Sequence, residues 1–116
     1  MLDILKQQFI TREQKVLQLI SEYESKYNMT WPIIGIFGSY ARGEAKGTSD
    51  IDICIIANKP DAYISGPLRE DADMLGADIV FLTKEQLLSG ESLLIRNIRR
   101  DIKFIRGGEI FEKQLL

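Results

Sequence analysis

Three aspartates, Asp50, Asp52 and Asp78, have the type and placement to do chemistry. Asp50 and Asp52 open the β-rich run Asp50-Ile51-Asp52-Ile53-Cys54-Ile55-Ile56. Residues two apart on a strand point to one face with backbones about 6.6 Å apart, so both carboxylates can converge on one hard cation or on a pair of them. Flanked by isoleucines, unpaired carboxylates are costly unless a cation or water stabilises them. The same spacing also suits the outer face of an edge strand whose isoleucines face a core, and spacing alone leaves that alternative open. Asp78 opens a later run, Gly76-Ala77-Asp78-Ile79-Val80-Phe81. If that strand pairs beside the earlier one, all three acids share a site. Such a cluster suits Mg²⁺, which prefers oxygen ligands and keeps waters and substrate phosphates in its shell. Two such ions about 3.5–4 Å apart clamp the attacking and leaving oxygens of an in-line phosphoryl displacement. In that arrangement Asp50 and Asp52 bind both ions, and Asp78 helps bind one and accepts the proton of the attacking hydroxyl.

A second feature precedes the acids. Gly38-Ser39 follows the β-rich run Ile33 to Phe37 and stands where a helix could open. A helix N-terminus attracts anions, and glycine lets a phosphate approach the backbone closely. The same dipeptide marks many ordinary turns and helix caps. The sequence contains no histidine, which removes histidine general bases, serine–histidine–aspartate triads and most zinc sites. Its one cysteine, Cys54, lies in an apolar run and is expected to be a buried thiol.

The elements that must position these residues follow from periodicity. Residues 2–27 read as helical, with a break near Thr11, where Thr11-Arg12-Glu13-Gln14 has the form of a capping box. Pro32 marks a loop before the strand at Ile33. Later elements are a strand at Asp50 to Ile56, a short helix from about Leu68 to Leu75, and a strand from Ala77 to Leu82. Helical segments at Lys84 to Leu88 and Glu91 to about Arg100 come next. The end reads as a hairpin of Ile102 to Ile105 and Glu109 to Phe111, turning at Gly107-Gly108. This order lacks the regular alternation of a doubly wound sheet. It predicts an α+β (irregular α/β) fold with a mixed, mostly antiparallel sheet of about four or five strands and helices packed on one side.

With 116 residues the chain is expected to be one domain, 1–116, with a helical segment over 1–30 and a core over 33–112. A net charge of −2 gives no support to a non-specific nucleic-acid binder. No apolar run is long enough to span a bilayer and the N-terminus does not read as a signal peptide, so a cytoplasmic location is expected. Lys46 could steer an anion or simply be solvated. Arg96, Arg99, Arg100, Lys103 and Arg106 could meet an acidic partner or nucleic acid, or form a solvated face, and Tyr40 could stack on a base or pack its helix.

The run Gly38-Ser39-Tyr40-Ala41-Arg42-Gly43-Glu44-Ala45 followed by Ser49-Asp50-Ile51-Asp52-Ile53, with Asp78 on a later strand, resembles the signature of the DNA polymerase β-like nucleotidyltransferases. Within them it is most similar to the minimal nucleotidyltransferase (MNT) group. The resemblance implies a triphosphate held at Gly38 and Ser39, Mg²⁺ bound by Asp50, Asp52 and Asp78, and an Arg42 that contacts phosphate or shapes the loop. It implies transfer of AMP from ATP, or of another NTP's monophosphate, to a hydroxyl of a partner protein. That partner would be a helical HEPN-type toxin encoded by the adjacent gene, with this chain as its antitoxin. A different class of function, a non-catalytic module that neutralises or scaffolds such a partner by contact, also fits a small domain. A homo- or hetero-oligomer through the N-terminal helical segment is a further expectation.

Overall fold

The computed structural model describes residues 11–59, 61–109 and 111. The helical reading of residues 2–10, and the oligomer expected through it, lie outside them. Helix α1 (Arg12–Lys26) starts at the expected capping box, with the Gln14 N–H donating to the Thr11 hydroxyl and the Thr11 N–H donating to the Gln14 side chain. Strand β1 (Ile33–Phe37) runs into the short helix α2 (Gly38–Arg42), and β2 (Ile51–Ile56) follows after a loop. Next come α3 (Ala62–Met74), β3 (Ala77–Leu82), α4 (Lys84–Ser89), α5 (Leu93–Asp101) and β4 (Lys103–Arg106). Among the described residues no helix is long and apolar enough to cross a membrane.

The four strands form one sheet in the order β3-β2-β1-β4. β1 pairs antiparallel with β2 and β4, while β2 and β3 are parallel, so the sheet is mixed and mostly antiparallel as expected. A parallel pair needs a crossover, and α3 supplies it. The placement of helices differs from expectation, because they cover both faces of the sheet. Val16 and Ile20 of α1 and Leu68 and Ala72 of α3 pack with Ile34, Ile36, Ile51, Ile53, Ile55 and Ile79. Leu87 of α4 and Ile98 of α5 pack with Ile33, Phe37, Cys54, Ile56 and Leu82 on the other face. The cause is visible in β1 and β2, whose apolar residues run on without alternation, the pattern of strands buried on both sides. Cys54 has the expected core role, and its burial pushes the thiol up to about 12.

Two further elements depart from the sequence reading. α3 begins at Ala62 rather than near Leu68, because Asp61 caps it by accepting the Tyr63 N–H. Pro67 lies inside that helix on an exposed side, forgoing one intrahelical hydrogen bond. Among the described residues the terminal hairpin does not form. β4 pairs with β1, after which Gly107 takes φ +73° and residues 109 and 111 are helical. This turn lets Phe111 become fully buried and stack on Phe104 with ring centroids 6.1 Å apart, which a strand added beyond β4 at the sheet edge would not allow. The buried Glu24 ties α1 to β4 by accepting from Arg106 (2.6 Å) and from the Trp31 backbone (2.7 Å). Both partners satisfy a carboxylate that would otherwise be expensive to bury.

Candidate active site

The sheet register assembles the three segments that the motif distributes along the chain. Phe37, the last residue of β1, is the cross-strand partner of Asp52, and Asp52 is the partner of Asp78 in the parallel pair. Gly38, the residue that follows β1, therefore stands in a row with Asp52 of β2 and Asp78 of β3 at one end of the sheet. Asp52 and Asp78 share the parity of Cys54, Ile56, Val80 and Leu82, so both leave the sheet on the α4/α5 face. Asp50 has the same parity one residue before β2, and the Ile51 N–H donating to the Gly76 carbonyl (2.9 Å) fixes that junction. Asp52 is half-buried, whereas Asp50 and Asp78 are exposed. Burial, then Asp78, then Asp50 push the Asp52 carboxyl above its ordinary range, and Arg42 opposes them. Such a group gains strongly from a cation.

Among the described residues no three acidic, cysteine or histidine side chains form a ready-made metal cage. Mg²⁺ does not require one, since one or two carboxylates suffice when water and substrate phosphates fill the other positions. The in-register pair Asp52 and Asp78 meets that requirement, with Asp50 beside it.

Gly38 takes φ +72°, a conformation that glycine adopts at little cost. A Cβ there would collide with the Asp52 carboxylate oxygen, so the turn and the acid are in direct apposition. No side chain caps the start of α2, and Ser39 is partly exposed in its first turn. Arg42, at the other end of α2, donates from Nε to Glu44 (3.0 Å) and from Nη1 to Asp101 (2.6 Å). Asp101 is buried and also accepts from Arg100. Arg100 chiefly, and Arg42, hold its carboxyl below the usual range against the effect of burial. These contacts tie Arg42 to Glu44 in the loop after α2 and to Asp101 of α5.

A model of the nucleotidyltransferase domain family matches residues 33–113. The chain belongs to that family. A relative from Methanocaldococcus jannaschii, to which protein adenylyltransferase activity is ascribed, is 39% identical to this domain over 66 residues, covering 55% of this chain and 77% of its own. A crystal structure of a toxin–antitoxin with AMP-PNP has a TM-score of 0.57 at 24% identity, over 84% of this chain and 78% of that one. The complex of a tri-AMPylated Shewanella oneidensis HEPN toxin with an MNT antitoxin has a TM-score of 0.53 at 20% identity, over 90% and 76%. At these identities the two structures establish a shared fold.

One residue that braces the loop before Asp50 escaped the sequence reading. Arg12, in the first turn of α1, donates to the carbonyls of Ser49 (3.0 Å) and Gly47 (2.9 Å) and to the Tyr40 hydroxyl (3.0 Å). It thereby clamps the loop that delivers Asp50, a loop closed further by the Lys46 N–H donating to the Ser49 hydroxyl (2.9 Å). Its partners lie 28 to 37 residues away, so no local signal marks it. Tyr40 serves this clamp and packs against the α1/α3 core. The basic stretch is largely engaged within the fold, with Arg99 donating to the Leu87 and Gly90 carbonyls, Arg100 to Asp101 and Arg106 to Glu24. Arg12→Ala is expected to lower transfer by about ten- to a hundredfold through misplacement of Asp50, and to speed tryptic cleavage after Lys46. Arg12→Lys should restore only part, because an ammonium does not reproduce the planar guanidinium fork. Unchanged cleavage and transfer in Arg12→Ala would show that the loop holds without the clamp.

Proposed function

We propose that this domain transfers AMP from ATP to a hydroxyl of a partner protein, acting as the antitoxin of a toxin–antitoxin pair with a HEPN-type toxin. The observation that carries the reading is the row of Gly38, at the end of β1, with Asp52 and Asp78 on β2 and β3. The activity ascribed to the M. jannaschii relative and the nature of the similar complexes support the acceptor class.

In this reading Gly38 and Ser39 receive the triphosphate through backbone N–H groups at the start of α2. Asp50, Asp52 and Asp78 hold Mg²⁺, which when bound neutralises phosphate charge and favours in-line displacement. The acceptor oxygen bonds to the α-phosphorus as the bond to the β-phosphate oxygen breaks. Pyrophosphate leaves with that electron pair, and the hydroxyl proton passes to Asp78. Arg42 and Asp101 keep α2 docked on α5, and Arg12 keeps Asp50 in place.

The test is incubation of the protein with Mg²⁺, ATP and the adjacent gene's product, followed by intact mass of both proteins. The expected result is a gain of one or more AMP units on the partner, absent in Asp50→Asn. Tight complex formation with no mass change would instead favour neutralisation by contact.

A further inference from the structure

A pocket of about 180 Å³ lies at the end of the sheet away from the acid row, where the chain enters β1, leaves β2 and starts α3. Ala57, in its lining, stands five residues beyond Asp52, about 16 Å along an extended strand. The pocket is therefore separate from the site formed by Gly38, Asp52 and Asp78. One of its walls is Trp31, which is only 3% exposed. The Trp31 backbone is held twice, its N–H donating to Glu24 (2.7 Å) and its carbonyl accepting from Arg106 (2.9 Å). The ring rests against Phe81, with centroids 6.0 Å apart.

The side chain of Trp31 carries one donor, and the fold does not use it. Among the described residues the indole N–H has no acceptor, although a tryptophan this deeply buried ordinarily finds one. No buried side-chain nitrogen or oxygen among those residues is both sealed off and unpartnered, so the indole N–H reaches open space. The open space that Trp31 borders is this pocket. Ser65, partly buried in the first turns of α3, lines the same pocket, and its hydroxyl also has no partner among the described residues. The buried Glu24 and Asp101, by contrast, are each bonded more than once.

The lining selects the class of ligand. The volume falls below the roughly 300–1,000 Å³ typical of pockets for drug-sized molecules, so the occupant is a small metabolite. Lys59 and Asp61 offer one charge of each sign. Asp61 commits one carboxylate oxygen to the Tyr63 N–H and keeps the other. A zwitterion matches this pair, its carboxylate accepting from Lys59, the Trp31 indole and Ser65, and its ammonium donating to Asp61. Met29 and Ile64 supply apolar surface for a short side chain. We propose that this pocket binds a free α-amino acid with an apolar side chain. The inference does not depend on the transferase reading.

Trp31 is the chain's single tryptophan, so its fluorescence reports on this pocket alone. The experiment titrates the full chain with valine, leucine or methionine, and with two truncated forms of leucine: isocaproate, which lacks the amino group, and isoamylamine, which lacks the carboxylate. Emission and calorimetry are both followed. A saturable change is expected with at least one amino acid. If leucine binds, each truncated form should bind at least about tenfold more weakly, because it leaves a charged partner without its hydrogen bond; if valine or methionine binds instead, the matching truncated forms are used. Ser65→Ala removes the hydroxyl at a helical position that favours alanine, so it should fold and bind about tenfold more weakly. Trp31→Phe, read by calorimetry, keeps an aromatic ring without the N–H and should weaken binding similarly. No saturable change with any of the three amino acids up to about ten millimolar, equal binding of an amino acid and its truncated forms, or wild-type affinity in both variants each overturns the proposal. None of these outcomes touches the transferase reading, which the mass experiment tests separately.

Discussion

Asp52→Asn is expected to reduce nucleotidyl transfer by on the order of 10³-fold or more, the scale set by losing several kcal/mol of metal-mediated charge stabilisation, and to make the metal-free protein more stable. The two effects have one origin. Asp52 is half-buried between Gly38 and Asp78, and burial, Asp78 and Asp50 all raise its carboxyl above the ordinary range. A carboxyl whose folded value is raised holds its proton more tightly in the folded than in the unfolded chain. The stability this contributes is present at low pH and is lost as pH climbs through the folded value. At neutral pH the ionised group therefore opposes folding, and asparagine removes that opposition. Urea unfolding in the presence of chelator, beside a labelled-transfer assay, reads both quantities. A variant that is less stable than wild type, or that keeps its transfer rate, would contradict the role assigned to this carboxylate.

Gly38→Ala should separate stability from activity in a different ratio. At φ +72° an alanine costs about 1–2 kcal/mol relative to glycine, a moderate destabilisation. Its methyl group would also collide with the Asp52 carboxylate oxygen, the free end of a side chain that can swing aside cheaply. Swinging aside removes the acid from its place opposite Asp78, and a displacement near 1 Å at a reacting centre costs about 10²-fold. The expected result is thus a small fall in the urea midpoint with a large fall in kcat. Normal kcat in a destabilised variant would show that the apposition of Gly38 and Asp52 has no part in the chemistry.

The placement of the candidate site residues was largely legible in the sequence because its signals are local. Gly38 and Ser39 end one apolar run, Asp50 and Asp52 begin another, and Asp78 opens the third strand, which the structure places at Ala77–Leu82 as read. The Thr11 capping box is equally local and was read correctly. What was illegible depends on distant or conflicting signals. Arg12 acts on carbonyls far along the chain, and Arg42 finds Asp101 across 59 residues. Gly66 and Pro67 argue for a loop, yet the Asp61 cap and the buried Leu68 and Ala72 carry α3 through them, tertiary packing outweighing local propensity. The two glycines after Arg106 suggested a hairpin, but the burial of Phe111 turned the chain into a helix instead. That the helices cover both faces follows from unbroken apolar runs in β1 and β2, whose length alone does not say which helix lies where.

The row of Gly38, Asp52 and Asp78 makes residue count within the strands behave like a reading frame. Side chains on a strand alternate with a period of two, so a single inserted or deleted residue inside β2 or β3 sends the acid beyond it to the opposite face, among the isoleucines. The loops obey no such rule, since they can lengthen at modest entropic cost as long as their ends meet. Over generations this architecture can vary its connections widely, whereas a one-residue length change within β2 or β3 takes an acid out of the row in one step.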